Sequence, residues 1–139
     1  MSKVFLKWSV LGITGGIIYS LIEIAARGYT HWTMFLLGGI CFLGVGLLDE
    51  VFPRKTPLLW QSLAGGVFIT VCEFVTGVIV NIELGWNVWD YSDKPFNYMG
   101  QICLENSLYW VLLSVVAIIL DDFLRYKLFG GKKPSYTLF

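Results

Sequence analysis

The sequence predicts an all-α integral membrane protein, a four-helix bundle with a long outer loop between helices 3 and 4. Three observations predict this fold. Hydrophobic residues make up 56% of the 139 residues and charged residues only 14%, whereas a soluble domain carries about 25% charged residues. The mean hydropathy is +0.68. The apolar residues fall into four runs, and a polar and aromatic segment precedes the last of them.

The four predicted spans form a single membrane domain over residues 1–139. A helix rises about 1.5 Å per residue, so roughly twenty residues cross a hydrocarbon core of about 30 Å. Prolines 53 and 57 stop helix propagation between the second and third spans. The spans lie at about 6–26, 33–48, 58–82 and 102–120, with an outer loop at 83–101 and a tail at 121–139.

The first span could instead be a cleaved signal peptide, because Lys3 and Lys7 precede its apolar stretch. A signal sequence is typically shorter and is followed by a soluble chain. Three further apolar runs follow here, so we expect the first span to be retained.

The distribution of lysine and arginine predicts the orientation of the bundle. With four spans, eight basic residues share one side, whereas Arg27 and Lys94 lie on the other. The positive-inside rule then places both termini in the cytoplasm and the long loop outside. The formal net charge is zero, which gives no basic surface for nucleic acid, so membrane lipid is the expected surrounding partner. The eight residues are Lys3, Lys7, Arg54, Lys55, Arg125, Lys127, Lys132 and Lys133.

Two pairs of segments suggest an internal repeat. Residues 14–23 align with 64–73, and residues 47–52 align with 119–124 at a larger offset. The second offset exceeds the first by about the length of the long loop. We hypothesise a tandem-duplicated helical hairpin, a type of repeat that places sites at the repeat interface. The alternative is chance similarity, since double glycines recur elsewhere in this apolar chain.

Three glutamates in or beside the apolar runs are candidate substrate-binding residues: Glu23, Glu73 and Glu105. A carboxylate at the bilayer centre costs at least about 2.5 kcal/mol, so such residues normally face a bundle interior or a wet cavity. Arg27 follows Glu23 by four residues and can pair with it. We predict one outward-facing acidic cavity lined by all three. In the alternative, Glu23 and Glu105 lie in the headgroup region and a hydroxyl holds Glu73.

The polar and aromatic segment 81–101 is the second candidate element. Unstructured loops of this length are usually functional or disordered, and its many aromatic residues argue against disorder. We therefore add Trp89, Asp90 and Tyr91 to the candidate substrate-binding set. Trp110 lies deeper in its span and is interpreted as a core aromatic.

Motifs for metal, cofactor and covalent chemistry are missing from the sequence. Cys41, Cys72 and Cys103 have no metal or redox spacing, and His31 is the single histidine. Residues 130–133 lack the spaced glycine and the serine or threonine of a phosphate-binding loop. The sequence therefore predicts no metal, no cofactor and no catalytic residue, and the protein is not expected to be an enzyme.

Three short runs give a family resemblance: RGYTHW at 27–32, WDYS at 89–92 and GQIC at 100–103. They resemble the bacterial membrane family labelled putative ABC-transporter type IV, and the similarity extends over nearly the whole chain. The resemblance implies a four-helix protein of the bacterial cell membrane. A transporter of that class would need a separate ATPase subunit, because no nucleotide-binding motif is present.

Three functions remain open on the sequence. The first is a transporter or transporter subunit, expected to be a homo-oligomer, for a cationic or polar small solute. The second is a non-transporting ligand-binding or accessory protein for a lipid, haem or peptide. The third is a membrane-embedded enzyme that uses a glutamate as general acid or base.

Overall fold

A computed structural model describes residues 2–53 and 56–137, and it confirms the all-helical fold class. Its α-helices are α1 (Lys3–Arg27), α2 (Trp32–Val51), α3 (Leu58–Gly77) and α4 (Leu104–Phe129). A π-helical segment (Val78–Glu83) continues α3, and strands β1 (Asn97–Tyr98) and β2 (Ile102–Cys103) pair antiparallel within the long loop. Arg54 and Lys55, which the orientation prediction counts, lie outside the described residues.

Three of the helical stretches are long and apolar enough to cross a membrane. They are α1, α3 together with its π-helical extension, and α4, with 25 or 26 residues each. The second predicted span corresponds to the apolar part of α2, Trp32–Leu48, which is shorter than the other three stretches. That stretch is about 26 Å long at 1.5 Å per residue, which is near the lower limit for a span.

Helix α4 continues beyond the predicted fourth span to Phe129, so residues 121–129 of the predicted tail are helical. Pairing of charges stabilises this part of the helix. Arg125 Nε lies 2.9 Å from Asp121 Oδ2 one turn earlier, and its guanidinium also pairs with Glu50 of α2. The same guanidinium stacks 5.2 Å from the ring of Trp8 on α1. These contacts accompany the burial of Asp121 and Arg125 at the start of the predicted tail.

The helices pack as two hairpins. Helix α1 packs along α2, and α3 packs along α4, whereas α1 and α4 barely touch. Glycines at repeat-equivalent positions make the close contacts: Gly15 faces Phe42 in the first hairpin, and Gly65 faces Ser114 in the second. Both pairs follow the offsets of the sequence repeat. The packing therefore agrees with the duplication hypothesis.

The chain returns to the bundle after α4. The backbone N–H of Leu58, at the start of α3, donates to the carbonyl of Thr137 at 2.7 Å. Pro57 offers no side-chain cap at this position, so the carbonyl satisfies one of the free N–H groups of the helix end. Nearby, the Tyr136 hydroxyl donates to Asp122 Oδ2 at 2.7 Å.

The crossing of α1 and α2 provides a test of the packing. A Cβ at Gly39 would lie 2.8 Å from the carbonyl oxygen of Gly12. Because backbone cannot move aside easily, we expect Gly39→Ala to cost about 1–3 kcal/mol through overpacking. The measurement is the thermal unfolding temperature in one fixed detergent, followed by circular dichroism.

Gly12→Ala is the matched control for that test. A Cβ at Gly12 would lie 3.4 Å from Leu43 Cδ1, which is near ordinary contact. The change should be neutral or gain up to about 1 kcal/mol of helix propensity. Equal unfolding temperatures for the two variants would contradict the close crossing.

Candidate functional site

The buried carboxylate of Glu73 lies at the centre of the candidate site. Glu73 is 1% exposed and projects from the C-terminal part of α3. Its Oε2 accepts a hydrogen bond from the Tyr91 hydroxyl at 2.9 Å, and its Oε1 accepts one from Trp110 Nε1 at 3.0 Å. Three elements, α3, the long loop and α4, therefore meet at one carboxylate. The contact with the Tyr91 hydroxyl matches the alternative given in the sequence analysis, in which a hydroxyl holds Glu73.

A groove between α1 and α4 leads to this carboxylate. The groove is open on one side, and residues of α2 and α3 also line it. Rim residues Ile22 and Val116 are exposed, so the groove opens sideways on the lipid-facing surface. In the described part of the chain, Glu73 is the only charged side chain that lines it. Most of the other lining side chains are apolar, and Tyr19 supplies a hydroxyl.

Glu23 and Arg27 form an ion pair beside the groove rather than part of its lining. Arg27 Nε lies 2.7 Å from Glu23 Oε2. Arg27 also donates through Nη1 to the carbonyl of Val88 at 3.1 Å, which ties α1 to the long loop. Tyr19 lies beside Glu23 and lines the groove. Glu23 is thus next to a lining residue without lining the groove itself.

Glu105 lies away from the groove, in the first turn of α4. Its side chain is 51% exposed, and Lys94 Nζ lies 3.4 Å from its Oε2. Solvent and the lysine stabilise this charge at the helix end. Of the three glutamates that were predicted to line one acidic cavity, the structure places only Glu73 in the groove.

Trp110 and Tyr19 are site residues that the sequence prediction did not include. Trp110 was interpreted as a core aromatic, but its indole N–H donates to Glu73, and its ring packs edge-on against Tyr19 with centroids 5.7 Å apart. A tryptophan deep in a span needs an acceptor for its N–H. The need of the Trp110 N–H for an acceptor could therefore have indicated a polar partner for this residue.

The long loop is anchored through Asn81 in the π-helical segment. Asn81 Oδ1 accepts from the backbone N–H of Val88 at 2.7 Å, and its Nδ2 donates to Gln101 Oε1 at 2.8 Å. Trp89, which is 6% exposed, donates from Nε1 to the carbonyl of Gln101 at 3.0 Å. Both ends of the loop are therefore fixed to one another and to the end of α3.

Asp90 and Tyr91 are adjacent but have different environments. Asp90 is exposed and accepts hydrogen bonds from the hydroxyl and the backbone N–H of Ser92, which lower the pKa of Asp90. It stabilises a turn and does not contact the groove. Burial, and then the charge of Glu73, raise the pKa of Tyr91. The phenol therefore keeps its proton at neutral pH and can donate it in the hydrogen bond to Glu73.

The anchoring predicts that Trp89→Ala loosens the loop. Removing a buried tryptophan typically costs about 3–5 kcal/mol, and here it also removes the bond to Gln101. We expect faster hydrogen–deuterium exchange over residues 84–103, measured by mass spectrometry. Trp86→Ala is the matched control because Trp86 is 47% exposed in the same loop. Equal exchange in both variants would contradict the anchoring.

Comparisons with known proteins address the family but not the activity. No solved structure matches the chain. A family model described as "Putative ABC-transporter type IV" matches residues 3–129, which include all four helices. The match agrees with the apolar spans and supports a membrane protein related to transporters. The chain belongs to the family described as Putative ABC-transporter type IV.

Proposed function

We propose that the protein is a small membrane transporter, or a transporter subunit, that binds a hydrophobic organic cation in the groove between α1 and α4. One observation carries the proposal: the Glu73 carboxylate is 1% exposed and lines an otherwise uncharged groove. Its two hydrogen-bond partners, Tyr91 and Trp110, are neutral. A cation is the complementary ligand for such a group.

The lining supports an apolar cation over a strongly hydrated one. A small hydrated ion would lose its water shell in the groove and find few polar groups to replace it. A cation with a delocalised charge and apolar substituents would keep contact with the apolar walls. The rings of Tyr19 and Trp110 beside the carboxylate offer faces for cation–π contacts.

The family and the spans support transport as the role of this site. In this proposal both termini face the cytoplasm and the long loop covers the outer end of the groove. The family description supports a separate ATPase subunit as an energy source. Four helices enclose little space, which supports a homo-oligomer as the working unit.

The accessory-protein alternative uses the same groove without transport. The contacts of Glu73 with Tyr91 and Trp110 suit a ligand held in place as well as one that passes through. Uptake into proteoliposomes separates the two roles, because an accessory protein binds the cation without moving it across the bilayer.

The proposal predicts that Glu73→Gln weakens cation binding. We expect the affinity for tetraphenylphosphonium to fall at least about tenfold, which corresponds to about 1.4 kcal/mol, because the substitution removes the charge and keeps the shape. Isothermal titration calorimetry in detergent measures the change. Tetraphenylborate has the same shape and the opposite charge, so it should bind the native protein poorly.

Glu105→Gln is the matched control variant, since Glu105 lies outside the groove and pairs with Lys94. Its affinity for tetraphenylphosphonium should equal that of the native protein. Equal affinities for all three proteins, or equal binding of the borate, would reject the site.

Native mass spectrometry of the protein extracted from its host in mild detergent tests the assembly. We expect more than one copy, either alone or together with an ATPase subunit. A monomer without any partner would contradict the oligomer.

A further inference from the structure

We infer that the groove exchanges a proton for the cation: each hydrophobic cation that binds displaces one proton from the carboxyl group of Glu73. This inference deepens the proposed function and rests on it. It assigns a coupling ion to the site, so that a proton gradient can drive movement of the cation.

The first argument is the lack of a fixed counter-ion. Arg27 Nε lies 2.7 Å from Glu23 Oε2, and Arg27 also donates to the Val88 carbonyl. Lys94 pairs with Glu105. Among residues 2–53 and 56–137, Glu73 has no basic side chain as an ion-pair partner.

The second argument is the cost of a bare charge in this position. An ionised carboxylate removed from water needs a paired cation in addition to hydrogen bonds. Tyr91 and Trp110 satisfy the two oxygens, but neither brings a positive charge. Without a cation in the groove, the carboxyl group is therefore stabilised by keeping its proton. A bound cation supplies the missing charge and makes the ionised form the stable one.

The other titratable groups around Glu73 do not take over this role. On α1, Glu23 already has Arg27 as its partner, and Tyr19 lies beside Glu23. On α2, Cys41 lies beside Cys72 of α3, and neither thiol can supply a positive charge. In the loop, the Tyr91 hydroxyl lies 2.9 Å from Glu73 Oε2, and a hydroxyl can accept from the protonated carboxyl group and donate to the ionised one. Helix α4 contributes Trp110, which does not titrate.

The exchange is balanced in atoms and charge. The O–H bond of the Glu73 carboxyl group breaks, the proton passes to water, and the carboxylate forms an ion pair with the incoming cation. No electron is transferred and no covalent bond to the ligand forms. The groove therefore carries the same net charge with either occupant.

Proton release on binding tests the exchange directly. Tetraphenylphosphonium is added to purified protein in weakly buffered detergent solution, and the released protons are counted with a pH indicator. We expect about one proton per bound cation for the native protein and for Glu105→Gln. Glu73→Asp keeps a carboxyl group and should also release one proton per bound cation, whereas Glu73→Gln should release none. In the pH range where Glu73 is protonated, raising the pH should increase the affinity of the native protein by up to tenfold per pH unit.

The possible results separate the exchange from the proposed function. If the native protein binds tetraphenylphosphonium and releases no proton, the exchange is wrong and the cation site stands. If Glu73→Gln binds the cation and still releases a proton, another group carries the proton and the inference is also wrong. If the native protein does not bind tetraphenylphosphonium, the proposed function fails, and the exchange fails with it.

Discussion

Two hydrogen bonds to one buried carboxylate connect the parts of this molecule that define the candidate site. In the hydrocarbon region, water is not available to satisfy a polar group, so the protein must supply every partner. Glu73 receives one partner from the long loop, Tyr91, and one from α4, Trp110. The loop therefore cannot be placed independently of the bundle, because the polar group below it needs the loop's hydroxyl.

The groove is a consequence of how the two hairpins meet. Small residues let α1 approach α2 and α3 approach α4 closely, while α1 and α4 barely touch. The space between these two helices is the apolar groove that Glu73 lines. The candidate site thus lies where packing is tight within each hairpin and loose between α1 and α4.

Much of the fold could be predicted from the sequence, because apolar run length and proline positions determine where helices form. The end of α4 could not, since Arg125 is neutralised by Glu50, a residue 75 positions away in the chain. The candidate site was predicted in part. The position of Glu73 deep in its span indicated a buried carboxylate. Residue spacing alone could not show that Glu105 pairs with Lys94 outside the groove. It also could not show which way α4 is rotated, and this rotation directs Trp110 towards Glu73.

The contact between Leu58 and Thr137 has a consequence for biosynthesis. Helix α3 starts near the middle of the chain, yet the carbonyl that satisfies its first free N–H comes from a residue made 79 positions later. During translation, the first hairpin and most of α3 can enter the membrane while this helix end is still uncapped. The fold is completed at that end only after the ribosome has released the segment that follows α4.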